Sequence, residues 1–159
     1  MGPQNCRNST IIGQGPIVHN NTVYTTQMSF NIMYTNADQL FNKFNELELL
    51  VQTKIPDIIA ITEVKPKNNR YTPYVGELNL EGYTLWHTNI ENEHGRGCII
   101  YTLSNLNVRE LRVKTHFTEF LLLEVFCKAD AKLLVGCFYR SPNSGTENNQ
   151  NLITLINEI

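Results

Sequence analysis

The sequence predicts an α/β fold, and three stretches carry that expectation. Ile58-Ile59-Ala60-Ile61, preceded by Pro56-Asp57 and closed by Thr62-Glu63, is an unbroken apolar run of strand length. Such a run leaves no solvent-facing side, so it reads as a strand buried on both faces. Upstream, Ser29 to Thr35 sets Phe30, Ile32 and Tyr34 against Asn31 and Met33, the period of two that marks a strand. Between them, Leu40, Phe41, Phe44, Leu47, Leu50 and Val51 recur at helical spacing. That helix has a polar start at Asn36 to Asp38, offers Asn36 or Asp38 as N-cap and ends before Pro56. Strand, helix and buried strand make a right-handed crossover with parallel strands.

Parallel strands finish at one edge of their sheet, so Asn36 and Glu63, each at the end of its strand, are expected to emerge together. Neighbouring backbones lie ~5 Å apart there, close enough for both side chains to address one ion. This C-terminal edge is where open α/β sheets bind ligands. A carboxylate in that place either serves a site or only caps its strand, and the strand itself allows both.

Downstream, Lys65 to Glu81 is a loop punctuated by Pro66, Pro73 and Gly76, with Lys65, Lys67 and Arg70 interleaved with Tyr71 and Tyr74. That composition either holds a phosphate backbone or is an ordinary solvated loop. After Gly82 come strand patterns at Tyr83 to His87, Cys98 to Thr102, Val108 to Val113, Glu119 to Cys127 and Lys132 to Tyr139. With a polar turn at Glu91 to Gly97 and a tight one at Lys128 to Ala131, they read as an antiparallel meander. Leu152, Ile153, Ile156 and Ile159 begin a second amphipathic helix.

The composition, 42% hydrophobic and 18% charged over 159 residues, fits one globular domain. No run of eighteen apolar residues is present, which argues against a membrane partner. Met1 to Gln27 lacks the basic start and apolar centre of a secretory signal. Residues 1–28 are therefore expected to be a disordered leader before a folded part over 29–159, in a nuclear or cytoplasmic protein that is not secreted. Cys6, Cys98, Cys127 and Cys137 show no metal-binding spacing and read as reduced, mostly buried thiols. A net charge of -2 leaves no global footprint for nucleic acid, so any such binding rests on a local patch.

Asn36, Glu63 and Tyr139 are three polar residues that each close a strand, and Tyr139 is followed by Arg140-Ser141-Pro142-Asn143. A carboxylate and an amide oxygen suit a hard cation such as Mg²⁺. A tyrosine and an arginine beside it can orient and neutralise a phosphate.

These residues carry a resemblance. Thr35-Asn36-Ala37, Asp57-Ile58-Ile59-Ala60-Ile61-Thr62-Glu63, Gly95-Arg96-Gly97-Cys98-Ile99-Ile100-Tyr101 and Phe138-Tyr139-Arg140-Ser141-Pro142-Asn143 are similar, in order, to segments of the endonuclease/exonuclease/phosphatase superfamily. The closest likeness is to the endonuclease domain that opens non-LTR retrotransposon (reverse transcriptase) polyproteins, and it runs from about Phe30 to Ile159. It implies the N-terminal part of a DNase I-like two-sheet α/β sandwich and a Mg²⁺-dependent (or Mn²⁺-dependent) endonuclease that hydrolyses DNA phosphodiesters. It also implies Glu63 as the metal-binding glutamate, Asn36 as the metal-site asparagine and Tyr139 as the catalytic tyrosine that supports the scissile phosphate. Arg140 and Asn143 match positions that contact the substrate backbone, beside the basic-loop candidates Lys65, Lys67 and Arg70.

The sequence departs from that pattern in two ways. Val64-Lys65 follows Glu63 where many relatives place a tryptophan. The Asp-x-Asn and Ser-Asp-His strand ends, which in the family activate the water and stabilise the transition state, are not present, and none of His19, His87, His94 and His116 stands in for that base. The expectation is thus a fragment inactive by itself, with DNA as partner, a missing C-terminal half and, in the full-length protein, a reverse transcriptase. Ile58 to Ile61, Leu121 to Phe126 and Leu133 to Phe138 are then expected to keep one face uncovered, leaving the chain marginally folded. Two alternatives stand beside this: another phosphodiesterase or phosphatase of the superfamily, and a non-catalytic nucleic-acid-binding remnant.

Overall fold

In the computed structural model, which describes residues 7–19, 22–67, 74–91 and 95–159, the elements in chain order are β1 (Arg7–His19), β2 (Thr22–Asn36), α1 (Phe44–Lys54), β3 (Ile58–Thr62), β4 (Tyr83–Thr88), β5 (Cys98–Leu103), β6 (Val108–Glu110), β7 (Phe120–Phe126), β8 (Lys132–Phe138) and α2 (Thr146–Glu158). The first sheet has the order β1-β2-β3-β5-β4 and the second β6-β7-β8. β2 and β3 run parallel, with Ile32 opposite Ile58 and Asn36 opposite Thr62, as the crossover predicts. All other pairs are antiparallel.

The alternation of side chains along β3 and β5 builds two cores. Ile59, Ile61, Ile99 and Tyr101 point to one side and pack with Leu40, Leu47 and Val51 from the helical segment. Ile58, Ala60, Cys98 and Ile100 point to the other and pack with Leu121, Leu123, Val125, Val135 and Cys137 from the second sheet. Helix, sheet and sheet thus form successive layers, the mixed α/β arrangement of a sandwich. All of β3 is buried, because a central strand between two cores has no face left for water. The start of β3 is fixed by polar bonds: Asn31 N–H donates to Asp57 Oδ2 at 2.7 Å and the Tyr83 hydroxyl donates to the Pro56 carbonyl at 2.7 Å.

Several expectations are corrected. The span expected as a disordered leader, 1–28, contains β1 and the first half of β2, paired from Arg7 opposite Tyr34 to His19 opposite Thr22. Ile11, Ile12, Ile17, Val18 and Val23 supply the β-propensity that the surrounding Asn, Gly and Thr obscure. Pro16 is compatible with β1 because that strand is at the sheet edge. The expected single meander is divided: β4 and β5 complete the first sheet, with β5 rather than β4 beside β3, and only the last three strands form a meander. Neither Asn36 nor Asp38 caps α1, because a 3₁₀ turn over Leu40–Lys43 comes first and Lys43 holds the cap position without a side-chain bond. Nor do Ile58 to Ile61 lack a cover, since both cores enclose them; in the other two stretches Phe126, Leu133 and Phe138 are half-buried and Leu134 on β8 is 41% accessible. Among the thiols, Cys98 and Cys137 are buried and free, Cys127 is half-buried, and Cys6 lies outside the described residues. No helix among the described residues is long and apolar enough to cross a membrane.

The layering predicts a contrast in stability. Ile61→Ala, which empties part of the helix-side core, should cost about 2–5 kcal/mol, whereas Leu134→Ala at the surface should stay within about 0.5 kcal/mol. Urea denaturation of the two variants measures both, and comparable losses would contradict the layer assignment.

Candidate functional site

The ends of β2 and β3 do meet. Asn36 Nδ2 donates to Glu63 Oε1 at 2.7 Å, the juxtaposition expected from parallel strands. The pairing continues beyond the strands: Ala37 N–H donates to the Thr62 carbonyl at 2.9 Å, Gln39 N–H to the Glu63 carbonyl at 3.0 Å and Leu40 N–H to the Val64 carbonyl at 2.9 Å. These bonds hold three non-glycine residues in the left-handed region, with φ of 42° at Asp38, 80° at Gln39 and 55° at Glu63. Such backbone persists only where its surroundings over-determine it, and it concentrates at functional sites.

Arg96, to which the sequence assigns no role beyond its place in the Gly95–Tyr101 segment, is the centre of this edge. It is only 8% exposed. Its Nη2 lies 2.7 Å from Asp38 Oδ1 and its Nη1 2.9 Å from Glu63 Oε2. Its Nε donates to the Lys65 carbonyl at 2.7 Å, and its backbone N–H donates to Glu119 Oε1 at 2.6 Å. The Nη1 contact is an ion pair without hydrogen-bond alignment, and Nη1 has no hydrogen-bond partner. One guanidinium thus serves two acids directly, with a third on its backbone. The Arg96 hydrogen bond holds the Asp38 carboxyl below the usual carboxylate range, only partly opposed by desolvation. The flanking glycines are required: both have φ of +75°, and a Cβ on Gly95 would sit 2.5 Å from Glu119 Oε1. The signal available in the sequence was that pattern, an arginine between two glycines opening a buried strand.

Tyr139 brings in the second sheet. It follows β8, is 9% exposed, and its N–H donates to the Glu119 carbonyl at 2.9 Å. Burial and then the Glu63 charge beside it push the phenol above the ordinary tyrosine value, against the opposing charge of Arg96. A phenol so placed stays a proton donor at neutral pH.

The other predicted contacts do not converge. Lys65 is 1% exposed, so it is not a surface residue available to a phosphate backbone; burial lowers its pKa while Glu119 opposes that shift. Lys67 is exposed, and Arg70 lies outside the described residues. Arg140 is exposed, with Nη1 donating to Asn149 Oδ1 at 3.3 Å. Asn143 is exposed in the turn after it.

The expected Mg²⁺ site can be tested against these atoms. A carboxylate and an amide are chemically apt, yet both Glu63 oxygens face nitrogen, Oε1 the Asn36 amide and Oε2 the Arg96 guanidinium. Asn36 Oδ1, the other donor oxygen, accepts the Asp38 N–H at 3.2 Å. As arranged, the residues do not fit a bound cation. Among the described residues, no group of three His, Cys, Asp or Glu side chains forms a ready ligand set. No protein-family profile matches the chain, and no curated protein matches it.

Because the Tyr139 pKa is raised in the folded state, its contribution to stability is fully present below pH 10 and is lost as pH rises through the folded value. Phenolate absorbance of the wild type minus that of Tyr139→Phe should show this tyrosine ionising late, and Glu63→Gln should bring it back toward the ordinary value. An ionisation indifferent to Glu63→Gln would separate the two side chains.

Proposed function

We propose that the chain is the N-terminal part of a DNase I-like endonuclease domain of a retrotransposon-like protein, and that the Asn36–Glu63–Tyr139 edge is where it meets a DNA phosphate. The observation that carries the reading is the convergence of these residues from two different sheets, which the resemblance requires and composition alone does not. Tyr139, kept neutral, is suited to donate to a non-bridging phosphate oxygen, and Arg140, exposed outside that edge, offers its guanidinium to a neighbouring phosphate of the same backbone. Hydrolysis also needs a base to deprotonate water, and the 159 residues contain neither an Asp-x-Asn nor a Ser-Asp-His segment. The chain is accordingly read as a partner in binding rather than a complete catalyst. One observation favours the non-catalytic alternative outright: Arg96 occupies Glu63.

The test is fluorescence anisotropy of a labelled DNA duplex at two salt concentrations, with supercoiled plasmid and Mg²⁺ incubated alongside. Salt-dependent binding without nicking is expected, and Arg140→Ala should lower the slope of log affinity against log salt by about one. No binding at the lower salt overturns the reading. Nicking that disappears in Glu63→Ala would show that the chain contains the whole hydrolytic set.

A further inference from the structure

We propose that Cys98 and Cys137 are a site of reversible oxidation, at which hydrogen peroxide joins them in a disulfide that staples the two sheets behind the Asn36–Glu63–Tyr139 edge. The geometry is reciprocal. Cys98 opens β5 in the first sheet, and its Sγ lies 3.9 Å from the carbonyl of Glu119, just ahead of β7 in the second. Cys137 lies near the end of β8 in the second sheet, and its Sγ lies 3.7 Å from the carbonyl of Ile61, on β3 in the first. Each thiol thus reaches across the core to the other's sheet. Register narrows their positions further: Cys98 is opposite Thr62, the residue after Ile61, and Cys137 is opposite Leu121 on β7. Both belong to one buried cluster and both are free. A hydrogen bond with Cys137, then burial, pushes the Cys98 thiol above its ordinary value. Protonated, enclosed thiols react slowly in the closed fold, so oxidation proceeds through a transient parting of the sheets. In that opening one thiolate attacks the peroxide, giving a sulfenic acid and hydroxide, and the second thiol then displaces the hydroxyl to form the S–S bond. The thiols give up two electrons and two protons, and the peroxide is reduced to two waters. Arg96 precedes Cys98 by two residues and Tyr139 follows Cys137 by two, so the bond fixes the spacing of two side chains that reach the edge from different sheets.

The staple is independent of DNA binding and is read without DNA. A Cys6→Ser/Cys127→Ser chain, which keeps only this pair of cysteines, is treated with hydrogen peroxide. Its intact mass should fall by two hydrogens, the thiols titrated after unfolding should drop from two to none, and non-reducing electrophoresis should show a monomer. The thermal midpoint should rise by roughly 5–10 °C, as closing a loop of about 40 residues predicts, and dithiothreitol should reverse the rise. Adding Cys137→Ala should abolish the loss of two hydrogens. Wild type, treated alike, alkylated and digested, should yield the linked Cys98–Cys137 peptide, so the test does not depend on the folding of any variant. Thiols that only take up oxygen singly, disulfides that form only between chains, wild type in which Cys98 or Cys137 links to Cys6 or Cys127 instead, or a midpoint that falls on oxidation each overturns the proposal.

Discussion

The parallel pairing of β2 with β3, carried past the ends of both strands, is the constraint on which the rest of the edge depends. Three backbone bonds from Ala37, Gln39 and Leu40 to the carbonyls of Thr62, Glu63 and Val64 extend the ladder into what would otherwise be loop. A loop free to relax would let Asp38, Gln39 and Glu63 return to ordinary φ values. The ladder forbids that, and the left-handed backbone directs the polar side chains to one spot. Its own stability comes from below, since β3 is buried on both faces between the two cores, and apolar burial is the dominant favourable term in folding.

On that platform Arg96 is the cation in direct contact with the acids, while Lys43 and Lys67 act on Asp38, and Lys65 on Glu119, through their charge. Acids gather at the edge, and the described residues supply one buried guanidinium in contact with them. A carboxylate that is partly withdrawn from water needs a positive or hydrogen-bonding partner. Glu63, whose side chain is 15% exposed, takes Arg96 and Asn36 together. The fork of the guanidinium lets one residue reach Asp38 and Glu63 at once, which a lysine's point charge could not do with comparable geometry.

What could be read from the sequence follows from which interactions are local. Ile58 to Ile61 announced β3 because burial on both faces leaves an unbroken apolar run, and the Asn36–Glu63 encounter followed from crossover geometry alone. The division of the later strands between two sheets was not legible from their patterns. Cys98 to Leu103 and Phe120 to Phe126 look alike locally, and their partners are chosen by long-range pairing. The hairpin of β1 and β2 was missed because polar composition outweighed scattered isoleucines and valines. Arg96 escaped notice for a related reason: its partners Asp38, Glu63 and Glu119 lie 58, 33 and 23 positions away in sequence, and no spacing rule connects them. Lys65 was misread because a lysine in a polar loop looks solvated until the neighbouring layers close over it.

Glu119 shows how the two sheets are kept in step. Its carboxylate accepts the Arg96 N–H just ahead of β5 in the first sheet, while its own carbonyl accepts the Tyr139 N–H just after β8 in the second. Apolar packing between sheets tolerates some sliding, because contact area changes little with a small shift. Two hydrogen bonds through one residue do not, since each loses alignment over a few tenths of an ångström. A substitution of Glu119 would remove the carboxylate link from the second sheet to Arg96, while its backbone bond to Tyr139 and the nearby Asn89 side-chain bond to the Thr118 carbonyl stay in place.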